Sequence, residues 1–153
     1  MGLLLSLTMN TPTDEEAVAK AVVDAAYPVH VDVGPGLLES VYETILARRL
    51  QRLGFRVERQ KPIPIVVDGT TLDEGFRADL MVADQVIVEL KSMVSISPVF
   101  KKQLRSYLRL SGKKIGLLIN FGAEMFKDGV ERVVAAKPEK APPAQQNHSA
   151  LQK

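Results

Sequence analysis

The stretch RADLMVADQVIVELK, residues 77–91, predicts two short strands joined by a tight turn. Both runs are mostly apolar, and Ala83-Asp84 between them is typical of a turn. In an antiparallel pair of this kind, residues of the two strands lie side by side. We therefore expect Asp79 and Glu89 to lie close together near one end of the pair.

An acid and a lysine follow each other on the second of these strands. Glu89 and Lys91 are two residues apart, so both project from one face, whereas Leu90 points into the core. Two carboxylates beside an ammonium can hold a hard divalent cation next to a reacting phosphate. By itself, Glu89-Leu90-Lys91 is more commonly an exposed salt pair, and Asp79 could simply end a strand. The functional interpretation is favoured because Glu89 ends the apolar run 86–88, where a buried charge is costly unless a cation matches it.

The composition restricts which metal such a site can take. The chain has 153 residues with no cysteine and two histidines, which excludes disulfides and thiolate ligands and argues against a structural zinc site. Carboxylate and carbonyl oxygens favour magnesium, manganese or calcium. A net charge of +2 is too small to indicate a polyanionic partner, so the distribution of charge must decide.

Two helices are predicted before this stretch. The first begins with Thr13 as N-cap and is expected to kink or end just before Pro28. The second ends at Gly54. Its predicted apolar stripe consists of Leu37, Val41, Ile45, Leu46, Leu50 and Leu53. From Phe55 the residues become β-branched, and Asp68-Gly69 predicts a hairpin turn.

The chain after the stretch predicts one more helix and two more strands. Residues 98–110 have a helical pattern that ends at Gly112, residues 115–120 are a buried strand, and residues 125–134 contain the last strand. The order α-α-β-β-β-α-β-β predicts an α/β fold, a mixed sheet flanked by helices. We expect one domain over residues 13–136, after a flexible N-terminal extension at 1–12 and before a disordered tail at 137–153.

Two helices also carry polar residues at helical spacing. Gln103 and Tyr107 share one face of the third helix, which is either a phosphate-contacting edge or an ordinary polar face. Glu39 and Tyr42 share a face at the start of the second helix, where an acid also suits the helix dipole. Basic residues on both helices favour a nucleic-acid partner whose phosphates they would neutralise, and solvated helix faces explain them equally well: Arg48, Arg49, Arg52, Lys101, Lys102, Arg105 and Arg109.

Taken together, these residues resemble the PD-(D/E)XK nuclease superfamily. More narrowly, they resemble the GxxExxY family, whose pattern is filled by Gly36, Glu39 and Tyr42. The resemblance runs from about residue 17 to residue 134 and consists of several blocks in the same order: 72–80, 88–91, 103–110 and 116–122. It implies a restriction-endonuclease-like core.

The resemblance also implies roles for the residues of the proposed site. Asp79 and Glu89 would be catalytic metal ligands, with the backbone carbonyl of Leu90 as a third ligand. Lys91 would be the catalytic lysine. Glu39 would match the helix acid that many members add to the metal site.

Substrate contacts are implied for the third helix. Gln103 and Tyr107 would match a glutamine and a tyrosine that help to position the substrate in RecB-like branches. Their neighbours Lys102 and Arg105 would assist as positively charged contacts.

We therefore expect a nuclease that uses Mg²⁺, with Mn²⁺ as a substitute, to hydrolyse phosphodiester bonds in DNA or, less favoured, in RNA. The alternative is a catalytically silent nuclease-fold module that binds nucleic acid or protein. Because the domain is small, it is expected to act as a homodimer or with a partner protein. We expect no membrane association and a cytoplasmic location.

Overall fold

A computed structural model describes residues 14–135. Within that range the helices and strands follow the expected order: α1 (Glu15–Val33), α2 (Glu39–Arg52), β1 (Val57–Val67), β2 (Thr70–Val82), β3 (Val86–Lys91), α3 (Pro98–Ser111), β4 (Ile115–Asn120), a short 3-10 helix (Phe126–Gly129) and β5 (Val130–Val134). The extension predicted for residues 1–12 and the tail predicted for 137–153 lie outside the described residues. No helix within residues 14–135 is long and apolar enough to span a membrane.

The five strands form one sheet in which the spatial order is the chain order, β1-β2-β3-β4-β5. Strands β3 and β4 are parallel, and α3 makes the crossover between them. The other neighbours pair antiparallel. The predicted fold class, a mixed sheet flanked by helices, is confirmed.

Both predicted turns are made by residues in the left-handed region. Asp68 and Gly69 have φ of +49° and +72°, and they join β1 to β2. Ala83 and Asp84 have φ of +54° and +55°, and the N–H of Gln85 donates to the carbonyl of Val82 at 3.0 Å. Turns of this kind match the twist of antiparallel strands. The second turn brings β3 back alongside the end of β2.

The sheet separates two apolar cores. Helices α1 and α2 cover one face and α3 covers the other. Strand β3 alternates between the two: Val86, Val88 and Leu90 belong to the α1–α2 core, whereas Ile87 belongs to the α3 core. By the same alternation, Glu89 and Lys91 lie on the α3 face.

The start and length of α1 differ from the sequence prediction. The predicted cap Thr13 lies outside the described residues, and Asp14 caps the helix by accepting from the Ala17 N–H at 2.9 Å. The helix continues through Pro28 to Val33, so it does not end before the proline, which was one of the two predicted outcomes. Pro28 is exposed, and water can reach the carbonyl that it leaves unpaired. Beyond it, His30 is buried and donates from Nε2 to the Ala123 carbonyl at 2.7 Å, which holds the last turn.

The buried face of α2 also differs from the predicted stripe. Leu37 and Leu53 lie outside the helix and are each 44% exposed. Tyr42 and Glu43 are buried instead. Glu43 can be buried because its carboxylate accepts hydrogen bonds from Arg59 and Gln60 on β1.

Candidate active site

The candidate site lies where β2 and β3 separate. Their pairing runs from Val82 opposite Val86 to Leu80 opposite Val88 and ends there. The next residues on the two strands are Asp79 and Glu89. Asp79 Oδ2 accepts from the backbone N–H of Leu90 at 2.8 Å. The Asp79 carboxylate therefore satisfies a backbone donor that the ladder leaves free, and this fixes it between the separating strands.

The two carboxyl groups are in contact, as the turn between the strands predicts. Burial raises the pKa of Glu89 to about 8, and the Asp79 charge and a hydrogen bond between the two side chains add to the shift. The nearby Lys91 ammonium acts in the opposite direction. Glu89 Oε1 is buried and has no hydrogen-bond partner. A buried acceptor without a donor beside a second carboxylate is the kind of group that a divalent cation would satisfy.

Lys91 lies on the same face as Glu89. Its ammonium is 4.2 Å from the ring centroid of Phe100, in the first turn of α3, and makes a cation–π contact. Lys91 and Glu89 line one small cavity together with Gln103 and Tyr107. That cavity has a volume of about 10 Å³, so it holds one water molecule at most.

The structure thus brings Gln103 and Tyr107 near Glu89, one member of the carboxyl pair. The Tyr107 ring stacks on Phe76 with centroids 3.9 Å apart and planes at 4°. Burial raises the pKa of Tyr107, the charge of Glu89 raises it further, and a hydrogen bond with Gln103 opposes both. This face of α3 closes the site on one side of the sheet.

Lys102 and Arg105, expected as substrate contacts, lie on another face of α3. Both are exposed and line a groove with Ser106 and Arg109, away from the cavity that contains Glu89. Neither of them touches the small cavity. Any contact that they make with a substrate would lie outside the carboxyl site.

On the α2 side of the sheet, a cleft of about 530 Å³ reaches Asp79. Glu39 lines its wall in the first turn of α2 and is exposed. Within residues 14–135, no three histidine, aspartate or glutamate side chains gather as one metal-binding group. Glu39 is therefore not a third carboxylate beside Asp79 and Glu89, because the start of α2 leaves it in the open cleft. Of the three predicted carboxylate ligands, Asp79 and Glu89 are in contact, and Glu39 lies apart from that pair.

Two residues of this cleft escaped the sequence prediction. Gln60 Nε2 donates to Asp79 Oδ1 at 3.2 Å and lies 3.2 Å from each carboxylate oxygen of Glu43. Glu43 is buried and also accepts from Arg59 Nε at 3.4 Å. The amide of Gln60 therefore links Asp79 to a helix acid one turn beyond Glu39. Gln60 itself has a φ of +48°, in the left-handed region.

Tyr42 fixes the entrance of the cleft rather than facing into it. Its hydroxyl donates to the Gly34 carbonyl at 2.6 Å and accepts from the Leu37 N–H at 3.1 Å, and its ring stacks on Phe121. Ser92, directly after Lys91, donates from its hydroxyl to the Leu37 carbonyl. The turn before α2 is thus tied to the end of β3.

The loop after Lys91 is held from β4. Asn120 is buried, accepts from the Met93 N–H at 3.0 Å and donates to the Met93 carbonyl at 2.9 Å. A Cβ on Gly122 would lie 2.2 Å from that carbonyl oxygen, so the two backbone segments meet where only glycine fits. The end of β3, with Glu89 and Lys91, therefore has little freedom to move.

A family model described as the PD-(D/E)XK nuclease superfamily matches residues 16–133. No curated protein and no solved structure gives a significant match.

Proposed function

The chain belongs to the PD-(D/E)XK nuclease superfamily, and from this premise we propose that it is a metal-dependent nuclease that hydrolyses phosphodiester bonds in DNA, with RNA a less favoured substrate. We also propose the GxxExxY family as its branch, from Gly36, Glu39 and Tyr42. The catalytic unit would be residues 13–136.

One observation carries the proposal: the Asp79 and Glu89 carboxyls are in contact, and one buried oxygen of Glu89 lacks a partner. Enzymes of this superfamily typically use divalent metals. Mg²⁺ needs only one or two protein carboxylates and fills its other positions with water and substrate phosphate, so two carboxylates fit it. Asp79, Glu89 and the Leu90 carbonyl would hold Mg²⁺ or Mn²⁺. When bound, the ion supplies Lewis acidity to the phosphate and to water.

The other residues have roles set by their contacts. Lys91 carries its positive charge beside Glu89 and would stabilise the negative charge that develops on the phosphate, or orient the attacking water. Gln103 and Tyr107 line a cavity with Glu89 and would help to keep its carboxyl directed at Asp79. Glu39 lines the cleft and would approach the phosphate from the α2 side.

The test is cleavage of supercoiled plasmid and of linear duplex with Mg²⁺ or Mn²⁺. We expect activity in the wild type and its loss in Asp79→Asn and Glu89→Gln, with a decrease of about 10²–10³-fold in Lys91→Ala. The matched control is Asp73→Asn, an exposed aspartate elsewhere on β2. It should cleave like the wild type.

Equal cleavage by the wild type and all variants would reveal a contaminating nuclease and refute the proposal. If the wild type binds DNA without cleaving it under any of these metal conditions, the chain is the silent binding module instead. Both outcomes are read from the same gels and one binding assay.

A further inference from the structure

Most basic side chains in the described part of the chain have an acidic partner. Ten salt bridges occur within residues 14–135, and each uses a different lysine or arginine. Three exposed cations of α3 form none of these bridges: Lys102, Arg105 and Arg109. Their neighbour Lys101 differs, because it pairs with Glu131 at 2.9 Å.

The three cations lie on one face of α3 together with Ser106. We call this set of four residues the α3 ridge: Lys102, Arg105, Ser106 and Arg109. Spacings of three, four and seven residues put them on one side of a helix, where they line a groove of about 310 Å³. From first to last the ridge rises about 10 Å, at 1.5 Å per residue. One DNA strand presents a phosphate every 3.4 Å or so along the helix axis, so about three phosphates match the ridge in length.

Helix stability does not explain these charges. The sequence of α3 contains no aspartate or glutamate, so no charge within the helix offsets them. Arg105 and Arg109 are like charges at i,i+4, which destabilises a helix slightly. Only Arg109, in the last turn, suits the helix dipole. Pairing within α3 therefore does not account for the three cations, and their charge is available to a ligand.

The ridge stands on a rigid base. Leu104 and Leu108 are buried in the core beneath it. The helix is capped at its start by Ser97, whose side chain accepts from the Val99 N–H, and at its end by Gly112 with a φ of +74°. The backbone that carries the three cations is therefore ordered before binding, so only their side chains have to be ordered when they bind a polyanion.

We propose that the α3 ridge binds the phosphodiester backbone of duplex DNA without regard to base sequence; this rests on the proposed nuclease function. The ridge offers positive charge from Lys102, Arg105 and Arg109, and neutralising phosphates with such cations is a sequence-independent part of DNA binding. The same helix carries Gln103 and Tyr107, which line the cavity that contains Glu89. Duplex bound on the ridge is thus held at a fixed offset from the carboxyl site.

The composition of the ridge favours nucleic acid over an acidic protein. Protein interfaces surround their charges with apolar and aromatic contact area. Here the groove is lined only by two arginines, a lysine and a serine. A regular row of cations without an apolar centre matches a regular row of phosphates.

The test is the salt dependence of DNA binding in EDTA, measured by fluorescence anisotropy of a labelled duplex of about 20 base pairs between about 50 and 200 mM NaCl. The variant is Lys102→Gln/Arg105→Gln/Arg109→Gln. The matched control is Arg48→Gln/Arg52→Gln/Lys127→Gln, which removes the same charge from three other exposed cations that make no salt bridge in the described chain. Circular dichroism checks that both variants are folded.

Each phosphate contact contributes a slope of about −0.9 to log K against log salt, so the α3 variant should lose about 2–3 units of slope. Over this range of salt, the wild type should lose about 40-fold more affinity than the variant. The control should lose less than about one unit of slope. The loss should be the same for duplexes of unrelated sequence.

Equal slopes for the wild type and the α3 variant, or equal losses in both triple variants, would overturn the proposal. Tighter binding of an acidic peptide than of DNA to the ridge would also overturn it. Because EDTA prevents cleavage, these results are independent of catalysis. If Asp79→Asn and Glu89→Gln lose cleavage but the α3 variant keeps the salt slope of the wild type, only the proposal for the ridge is refuted. If the α3 variant loses slope but the wild type shows no metal-dependent cleavage, only the nuclease proposal is refuted.

Discussion

Replacing Glu89 by glutamine should stabilise the metal-free protein, and by an amount that depends on pH. Glutamine keeps the shape of the side chain but cannot ionise. In the native protein the pKa of Glu89 is raised from 4.5 to about 8, chiefly by burial. The unfolded chain therefore loses this proton at a lower pH than the folded chain.

The sign and the size follow from linkage. Below the unfolded pKa of 4.5 the carboxyl is protonated in both states and has no effect on stability. As pH rises towards 8, the folded state holds a proton that the unfolded state has lost, so stability decreases by up to about 1.4 kcal/mol per pH unit. The accumulated penalty is about 3 kcal/mol near pH 7 and about 5 kcal/mol well above pH 8.

Urea unfolding in EDTA at several pH values between about 5 and 9 measures this penalty as the difference between the wild type and Glu89→Gln. Taking the difference removes the contributions of all other titrating groups. The control is Glu124→Gln, an exposed glutamate without a salt bridge within residues 14–135. Parallel pH profiles for the wild type and Glu89→Gln would refute the reasoning, because they would mean that Glu89 ionises normally in the folded protein.

Three further predictions concern the same region. Mg²⁺ at about 100 times its Kd should raise the unfolding free energy of the wild type by about 2.7 kcal/mol, but not that of Asp79→Asn or Glu89→Gln. Gln60→Ala removes the amide that links Asp79 to a buried acid of α2, and should cost about 1–3 kcal/mol in urea unfolding. Gly122→Ala puts a Cβ 2.2 Å from the Met93 carbonyl oxygen, so it should cost about 3 kcal/mol and disturb the loop after β3.

Each of these has its own control or contrary result. Equal stabilisation of the wild type and both carboxyl variants by Mg²⁺ would mean that the ion binds at a site other than Asp79 and Glu89. For Gln60, the comparison is Gln51→Ala, an exposed glutamine at the end of α2, and an equal loss in the two would show that the amide link is not important. A Gly122→Ala protein as stable as the wild type would mean that the β4 segment shifts freely.

The parts of the site that depend on a single turn could be predicted from local sequence patterns. Asp68-Gly69 and Ala83-Asp84 adopt left-handed φ because their residues tolerate it, and the period of two along β3 then sets which side chains face α3. Asp79 and Glu89 meet because the second turn is short. These features depend only on neighbours in sequence.

The remaining features depend on contacts between distant segments. Gln60 meets Asp79 through the register of β1 against β2, and nothing in the sequence around it signals that role. Glu43 is buried because Gln60 and Arg59 donate to it, which overrides the usual exposure of a glutamate. Pro28 stays inside a helix because the residues after it pack into the core.

The central claim is that Asp79 and Glu89 form one divalent-metal centre. Calorimetric titration of the metal-free protein with Mn²⁺ near pH 7, in buffers of different ionisation enthalpy, tests it most directly, because it counts bound ions and released protons together. With a pKa of about 8, Glu89 is mostly protonated at that pH. We predict that Mn²⁺ binding releases close to one proton per ion in the wild type, and that Glu89→Gln binds weakly and releases none. No binding, or the same affinity and proton release in Glu89→Gln, would contradict the claim.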